Sequence, residues 1–130
     1  MKAERATPAD PRELALAAGR AAAAKQAEDI VILDVGGVIA ITDLFVLCTG
    51  ATQRQVKTIV DAIEHRLREL GERPVRREGE SEGRWVLLDY VDVVVHVFAP
   101  EERDFYALER LWRDAPIVPL EAGEGAVTSP

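Results

Sequence analysis

Two hydrophobic periods alternate along the chain. Runs rich in β-branched and aromatic residues at 30–35 (IVILDV), 43–49 (DLFVLCT), 85–89 (WVLLD) and 92–98 (DVVVHVF) read as strands. Helical spacing fills the intervals. Val56, Ile59, Val60, Ile63, Leu67 and Leu70 form one apolar stripe. Thr52 and Gln55 open that helix as a capping pair, and Gly71 closes it in the left-handed conformation. An earlier helix over 14–27 follows from alanine propensity, with Asp10, Pro11 and Glu13 as its start signal. A last helix begins at Pro100 with Glu101 and Glu102 in its first turn. It carries Phe105, Leu108, Leu111 and Trp112 as its apolar face and stops at Asp114, Ala115 and Pro116. Gly36 and Gly37 break the first strand, and the charged, glycine-bearing stretch 72–83 reads as a mobile connection.

The predicted order is therefore α-β-β-α-β-β-α. A mixed β-sheet with helices packed on it, in the α/β class, is the natural solution for that order. One domain is expected over 10–118, with disordered tails at 1–9 and 121–130.

The hairpin from Trp85 to Phe98 is the candidate working surface. With Tyr90 and Val91 as central turn residues, Asp89 faces Asp92, Leu87 faces Val94 and Trp85 faces His96. One sheet face then carries Trp85, Leu87, Val94, His96 and a pair of carboxylates. The other carries Val86, Leu88, Val93, Val95 and Val97, a uniform apolar core. A face mixing aromatic, aliphatic and acidic groups suits a protein partner, because Trp and Tyr anchor while charges orient. The competing structural reading puts Trp85 under a helix and makes the aspartates strand ends. A one-residue slip in register exchanges the two faces.

Composition narrows the function classes. The chain has 130 residues, 48% apolar and 30% charged, so it is globular in character. Cys48 is the single cysteine, which rules out an intrachain disulfide and suits a reducing compartment. Placed in an apolar strand with no CxxC companion, it reads as a core residue. No apolar run reaches the roughly 18 residues of a membrane span, and a cytoplasmic location is expected. The formal net charge is −7, with 23 acids against 16 bases and no run of three basic residues. That argues against sequence-specific nucleic-acid binding and for a basic partner. Gln53, Arg54 and Lys57 cluster at a helix start and fit either RNA phosphate or a solvated helix end. His96 is expected to pair with a carboxylate or pack on Trp85, and His65 to be solvated. Asp89 and Asp92, three apart across a turn, amount to a weak metal site at most. No catalytic residue, metal or cofactor is assigned.

Three stretches carry a resemblance. DLFVLCTGATQRQV (43–56), GRWVLLDYVDVVVHVF (83–98) and FYALERLWRDAP (105–116) resemble, in order and at compatible spacing, the signatures of the ribosomal silencing factor (Iojap-like) family. With 29–35 the likeness covers roughly residues 10–118. It implies a nucleotidyltransferase-like, Iojap-type fold without the transferase chemistry. It also implies a homodimer that binds ribosomal protein fourteen on the large subunit and sterically blocks joining of the small subunit. The result is repressed translation under nutrient limitation or in stationary phase. Carried over by position, Trp85, Leu87, Asp89, Tyr90 and Asp92 match the motif for that contact. Two alternatives stand beside it: a large-subunit assembly factor touching ribosomal RNA, and a divergent nucleotidyltransferase. The family commonly has glycine between the tyrosine and aspartate of the hairpin turn, where this chain has Val91. A β-branched residue resists positive φ, which leaves turn type and register open.

Overall fold

The computed structural model describes residues 10–37, 42–106, 113 and 115–120. In chain order its elements are α1 (Pro11–Ala24), β1 (Glu28–Asp34), β2 (Leu44–Thr49), α2 (Gln53–Glu69), β3 (Arg76–Glu78), β4 (Trp85–Asp89), β5 (Val93–Phe98) and α3 (Pro100–Tyr106). The strands form one sheet in the order β1-β2-β5-β4-β3. β2 and β5 run parallel while the other neighbours are antiparallel. This is the mixed α/β architecture the hydrophobic pattern predicts, with one added strand. β3 lies inside the stretch expected to be a mobile connection. Its three residues are all exposed and charged, so no apolar alternation announces it. Those charges also blunt the open edge of the sheet against pairing with another chain.

α2 forms as its caps dictate. Thr52 Oγ1 accepts from the Gln55 backbone N–H at 3.0 Å, and Gln55 Oε1 accepts from Ala51 N–H at 2.7 Å. The same amide donates through Nε2 to the carbonyls of Lys25 and Gln26, pinning the end of α1 to the start of α2. At the other end Glu72 N–H bonds to Leu67 O and Gly71 N–H to Arg68 O, with Gly71 at φ 87°. That is the double hydrogen bond of a Schellman cap, which glycine adopts without a Cβ clash.

α1 starts at Pro11, although the Asp10 side chain makes no capping bond. It ends at Ala24, three residues short of the expected end, because Gln26 takes φ 65° and turns the chain towards the sheet. Its buried stripe is mostly alanine, so the helix lies close against the strands.

Leu14, Ala18 and Ala22 of α1 and Val56, Ile59, Ile63 and Leu67 of α2 cover one face of the sheet. Beneath them lie Ile32, Val46, Cys48, Val86, Leu88, Val93, Val95 and Val97, all almost wholly buried. Each aliphatic side chain buried to this degree contributes roughly 1.5–3 kcal/mol. Cys48 is the core residue expected of it: burial pushes its thiol up to about 12, so it carries no thiolate at neutral pH.

The far edge is closed differently. The segment after residue 115 bridges β1, with Leu33 opposite Ile117, Asp34 N–H bonded to Pro116 O and Val118 N–H bonded to Ile32 O. The expected apolar residues Leu108, Leu111 and Trp112, the stop at Asp114, and the tails 1–9 and 121–130 lie outside the described residues.

Candidate functional site

The second face of the sheet is where the mixed chemistry gathers. Alternation along β4 and β5 points Trp85, Leu87 and Asp89, and Val94, His96 and Phe98, away from α1 and α2. The cross-strand rows follow from the pairing. Arg76, Asp89, Val94 and Phe45 form one row; Glu78, Leu87, His96 and Leu47 the next; Trp85, Phe98 and Thr49 the third. Phe98 and Leu47 are fully buried, packed with Leu33, Val35 and Ala115. Trp85, Leu87, Val94 and Phe45 are only half-buried. The β1 half of this face is therefore closed by the C-terminal segment, while the β4–β5 half keeps an accessible apolar surface with Asp89 and Arg76 at its rim.

The hairpin register differs from the expected one by two residues. Trp85 faces Phe98, Leu87 faces His96 and Asp89 faces Val94. Tyr90 pairs with Val93 through its N–H, so the central turn residues are Val91 and Asp92 rather than Tyr90 and Val91. An even shift preserves which side chains share a face, so the mixed face and the apolar face are as expected. The facing carboxylate pair is not: Asp92 stands in the turn and Asp89 sits in the ladder.

The turn is tight. Asp92 N–H bonds to Tyr90 O at 2.9 Å around Val91, which is held at φ 75°. Asp89 Oδ1 steadies it by accepting the Val91 N–H at 2.8 Å. Asp89 also lies 3.4 Å from Arg76 Nη2, a half-exposed ion pair worth little by itself.

The five residues singled out from the sequence thus divide. Trp85, Leu87 and Asp89 share the half-open face, and Asp92 is exposed at its end. Tyr90 is 6% exposed and packs on the helix side, in the core with Val86 and Leu88. Burial raises its hydroxyl pKa above the ordinary phenol value, and its OH has no hydrogen-bond partner among the described residues.

Of its two expected settings His96 takes the second, packing on Trp85 with ring centroids 6.0 Å apart, and no carboxylate among the described residues pairs with it. It is 5% exposed, edge-on to Phe45 at 5.1 Å, parallel to Phe98 at 6.0 Å, and accepts the Trp85 indole N–H at Nδ1 at 3.1 Å. Burial lowers its pKa to about 4, so the ring is neutral at physiological pH. His65 is exposed, as expected, and lies 3.2 Å from Glu69.

Val94 lies on the face as expected, and Phe45 of β2 joins it as a residue the hairpin pattern did not include. The signal for Phe45 was the same alternation, carried across to the parallel neighbour strand. Arg103 was also missed. Buried to 6%, it donates to Thr49 Oγ1 and to Asp29 O, and its guanidinium sits 5.8 Å from the Phe98 ring centroid. No pattern in the sequence marks an arginine three residues into a helix as a buried clamp.

The β2–α2 turn offers little for transferase chemistry. Gly50 to Val60 carries no carboxylate, and the polar hollow there is bordered by Thr52, Gln53, Arg84 and Glu101. Glu102, next along, pairs with Arg84 at 3.2 Å. Among the described residues no three His, Cys, Asp or Glu side chains gather as a metal would require. Gln53, Arg54 and Lys57 lie exposed on the first turns of α2.

Comparison with known proteins places this geometry. The family described as ribosomal silencing factor during starvation matches residues 8–129. The ribosomal silencing factor of Bacillus subtilis is 46% identical over 99 residues, 76% of this chain and 84% of that protein. The chloroplastic protein Iojap of Zea mays is 33% identical over 109 residues, 82% of this chain and 46% of its own longer length. A solved structure from Chromobacterium violaceum superposes with a TM-score of 0.78 at 35% identity, covering 81% of this chain and 88% of that one. One from Bacillus halodurans gives 0.72 at 40% identity, covering 82% and 97%.

Proposed function

From the premise that this chain belongs to the ribosomal silencing factor family, we propose that it docks on the large ribosomal subunit through the half-open β4–β5 face. Its partner there is ribosomal protein fourteen, and its bulk keeps the small subunit from joining. Translation is thereby repressed under nutrient limitation or in stationary phase, in the cytoplasm, and the free protein is a homodimer. The observation that carries the reading is the face itself: half-buried Trp85, Leu87, Val94 and Phe45 beside Asp89 and Asp92, on a chain of net charge −7. Large aromatic and aliphatic side chains anchor a protein interface, and an acidic rim favours a basic partner. A patch of about 800 Å² per partner suffices for a specific contact. Trp85, Leu87 and Asp89 make the contact and Asp92 orients it. Tyr90, with its ring on the helix side, acts from beneath by holding the turn.

The test is a sucrose-gradient profile with purified subunits, scoring cosedimentation with large subunits and loss of joined ribosomes. Trp85→Glu is expected to abolish both while remaining folded. Cosedimentation of that variant at the wild-type level rejects the face.

A second reading has a specific support. A mouse relative, 31% identical over 91 residues, is named for mitochondrial assembly of the ribosomal large subunit. An assembly factor of this kind, touching ribosomal RNA through Arg54 and Lys57, binds protein-free ribosomal RNA with a marked salt slope. Binding that requires the ribosomal protein separates the two.

A further inference from the structure

We propose that His96 is a positioning residue for the docking face: its Nδ1 holds the Trp85 indole N–H from inside the protein, so that the anchor is presented as a pre-oriented and already satisfied apolar surface. The inference rests on the docking reading above and deepens it.

The geometry is specific. His96 sits one position diagonal to Trp85 across the β4–β5 ladder, opposite Leu87, and the Nε1–Nδ1 distance is 3.1 Å. The imidazole cannot swing away. Phe98 lies parallel to it at 7°, Phe45 meets it edge-on at 73°, and 95% of its surface is covered, since it is 5% exposed. Trp85 is in turn packed on Phe98, ring centroids 5.3 Å apart. An acceptor at Nδ1 requires the proton on Nε2. That N–H is buried and has no partner among the described residues, which by itself is unfavourable. A leucine would fill the space without stranding a donor. What the histidine contributes is therefore the Nδ1 acceptor, and the group that uses it is Trp85.

The benefit falls on binding. A tryptophan at an interface carries an N–H that must either find an acceptor on the partner or be stripped of water without one. Here the donor is satisfied before the partner arrives. The ring orientation is fixed as well, which cuts the ordering cost of association. The partner then needs only an apolar surface over Trp85, with no acceptor matched to the indole.

The experiment has two arms. On the free, full-length protein, hydrogen exchange of the Trp85 indole proton is followed by NMR, the signal being assigned as the one absent from Trp85→Phe. Protection is expected in the wild type and in His96→Asn, whose amide oxygen lies near the Nδ1 position, and its loss in His96→Leu.

In the second arm, affinity for purified large subunits is measured with variants shown by thermal melts to be folded. His96→Leu is expected to weaken binding about tenfold, and His96→Asn to restore most of it. In a Trp85→Phe background, which has no N–H, His96→Leu is expected to cost nothing further. Equal weakness of the Leu and Asn variants, a full-sized loss in the Trp85→Phe background, or an indole proton indifferent to His96 overturns the inference. In those cases docking through Trp85 stands. Wild-type affinity of Trp85→Glu instead removes the docking reading and this inference together, even with the indole protected.

Discussion

Val91 shows a residue at odds with its position. It is β-branched, 54% exposed and held at φ 75° by the bond from Asp92 N–H to Tyr90 O. Such a conformation costs on the order of 1–3 kcal/mol in a side-chain-bearing residue. Glycine removes most of that cost and returns part of it as unfolded-state entropy. Val91→Gly is therefore expected to stabilise the protein by about 1 kcal/mol, raising Tm by about 4 °C at this chain length; a lower Tm would show that the valine packs on something that matters more. Tyr90 offers a second test. Its buried hydroxyl lacks a partner among the described residues, so Tyr90→Phe, which keeps the shape, is expected to be neutral or slightly stabilising in denaturant melts. His96 gives a pH dependence. Its folded pKa, about 4, lies below the ordinary 6.5, so between those values the unfolded chain takes up a proton that the folded one refuses. Stability is unaffected above 6.5, falls as pH drops through that window, and has no further His96 contribution below about 4. The full effect is on the order of 3 kcal/mol. His96→Asn is expected to flatten the curve between pH 6.5 and 4 relative to the wild type.

Among the elements, legibility followed burial. α2 could be read almost to the residue because three independent signals agree: an apolar stripe at helical spacing, Thr52 with Gln55 at its start, and Gly71 at its end. Thr52→Ala and Gly71→Ala are each expected to cost about 1 kcal/mol in equilibrium unfolding, the first through a lost cap and the second through forced positive φ. β4 and β5 were legible because valine alternates with Trp, Leu and His across a sheet whose one face is all core. β3 was not, since a charged three-residue edge strand carries no periodic signal and exists only because Val75 N–H and its neighbours find β4. The hairpin register escaped by two residues for a local reason. Asp92 looks like the opening residue of a strand, but its N–H is used within the turn, and Tyr90 takes up the ladder instead. Membership of the mixed face survived because the slip was even. Placement on the mixed face was correspondingly legible for Trp85, Leu87 and Asp89, and not for Tyr90, which the parity of the strand sends inward.

At the scale of the molecule, one face is consumed by packing and the other is left with work to do. α1 and α2 close the valine face completely. On the opposite face, among the described residues, Ala115 and Arg103 cover the β1–β2 end and Phe98 of β5, while Trp85, Leu87 and Val94 stay half-buried. Arg103 is the tie that makes this asymmetric closure rigid, since it joins α3 to Thr49 at the end of β2 and to Asp29 at the bulged start of β1. Arg103→Met keeps the stem but strands two acceptors, so a loss of roughly 2–3 kcal/mol is expected. The open half retains apolar area next to Asp89 and Asp92, and under the proposed docking the chain's excess negative charge would give a basic partner a long-range pull for short-range packing to complete. The two contributions separate experimentally. Raising the salt concentration shortens the reach of charge, with a screening length of about 8 Å near physiological ionic strength and about 3 Å at 1 M. The association rate with large subunits is therefore expected to fall with salt while dissociation changes little. Asp92→Asn, at the exposed end of the face, should lower the association rate and flatten its salt dependence. Trp85→Phe should leave that dependence intact and speed dissociation. Salt-independent association of the wild-type protein would remove charge steering from the account and leave the apolar face alone to find its partner.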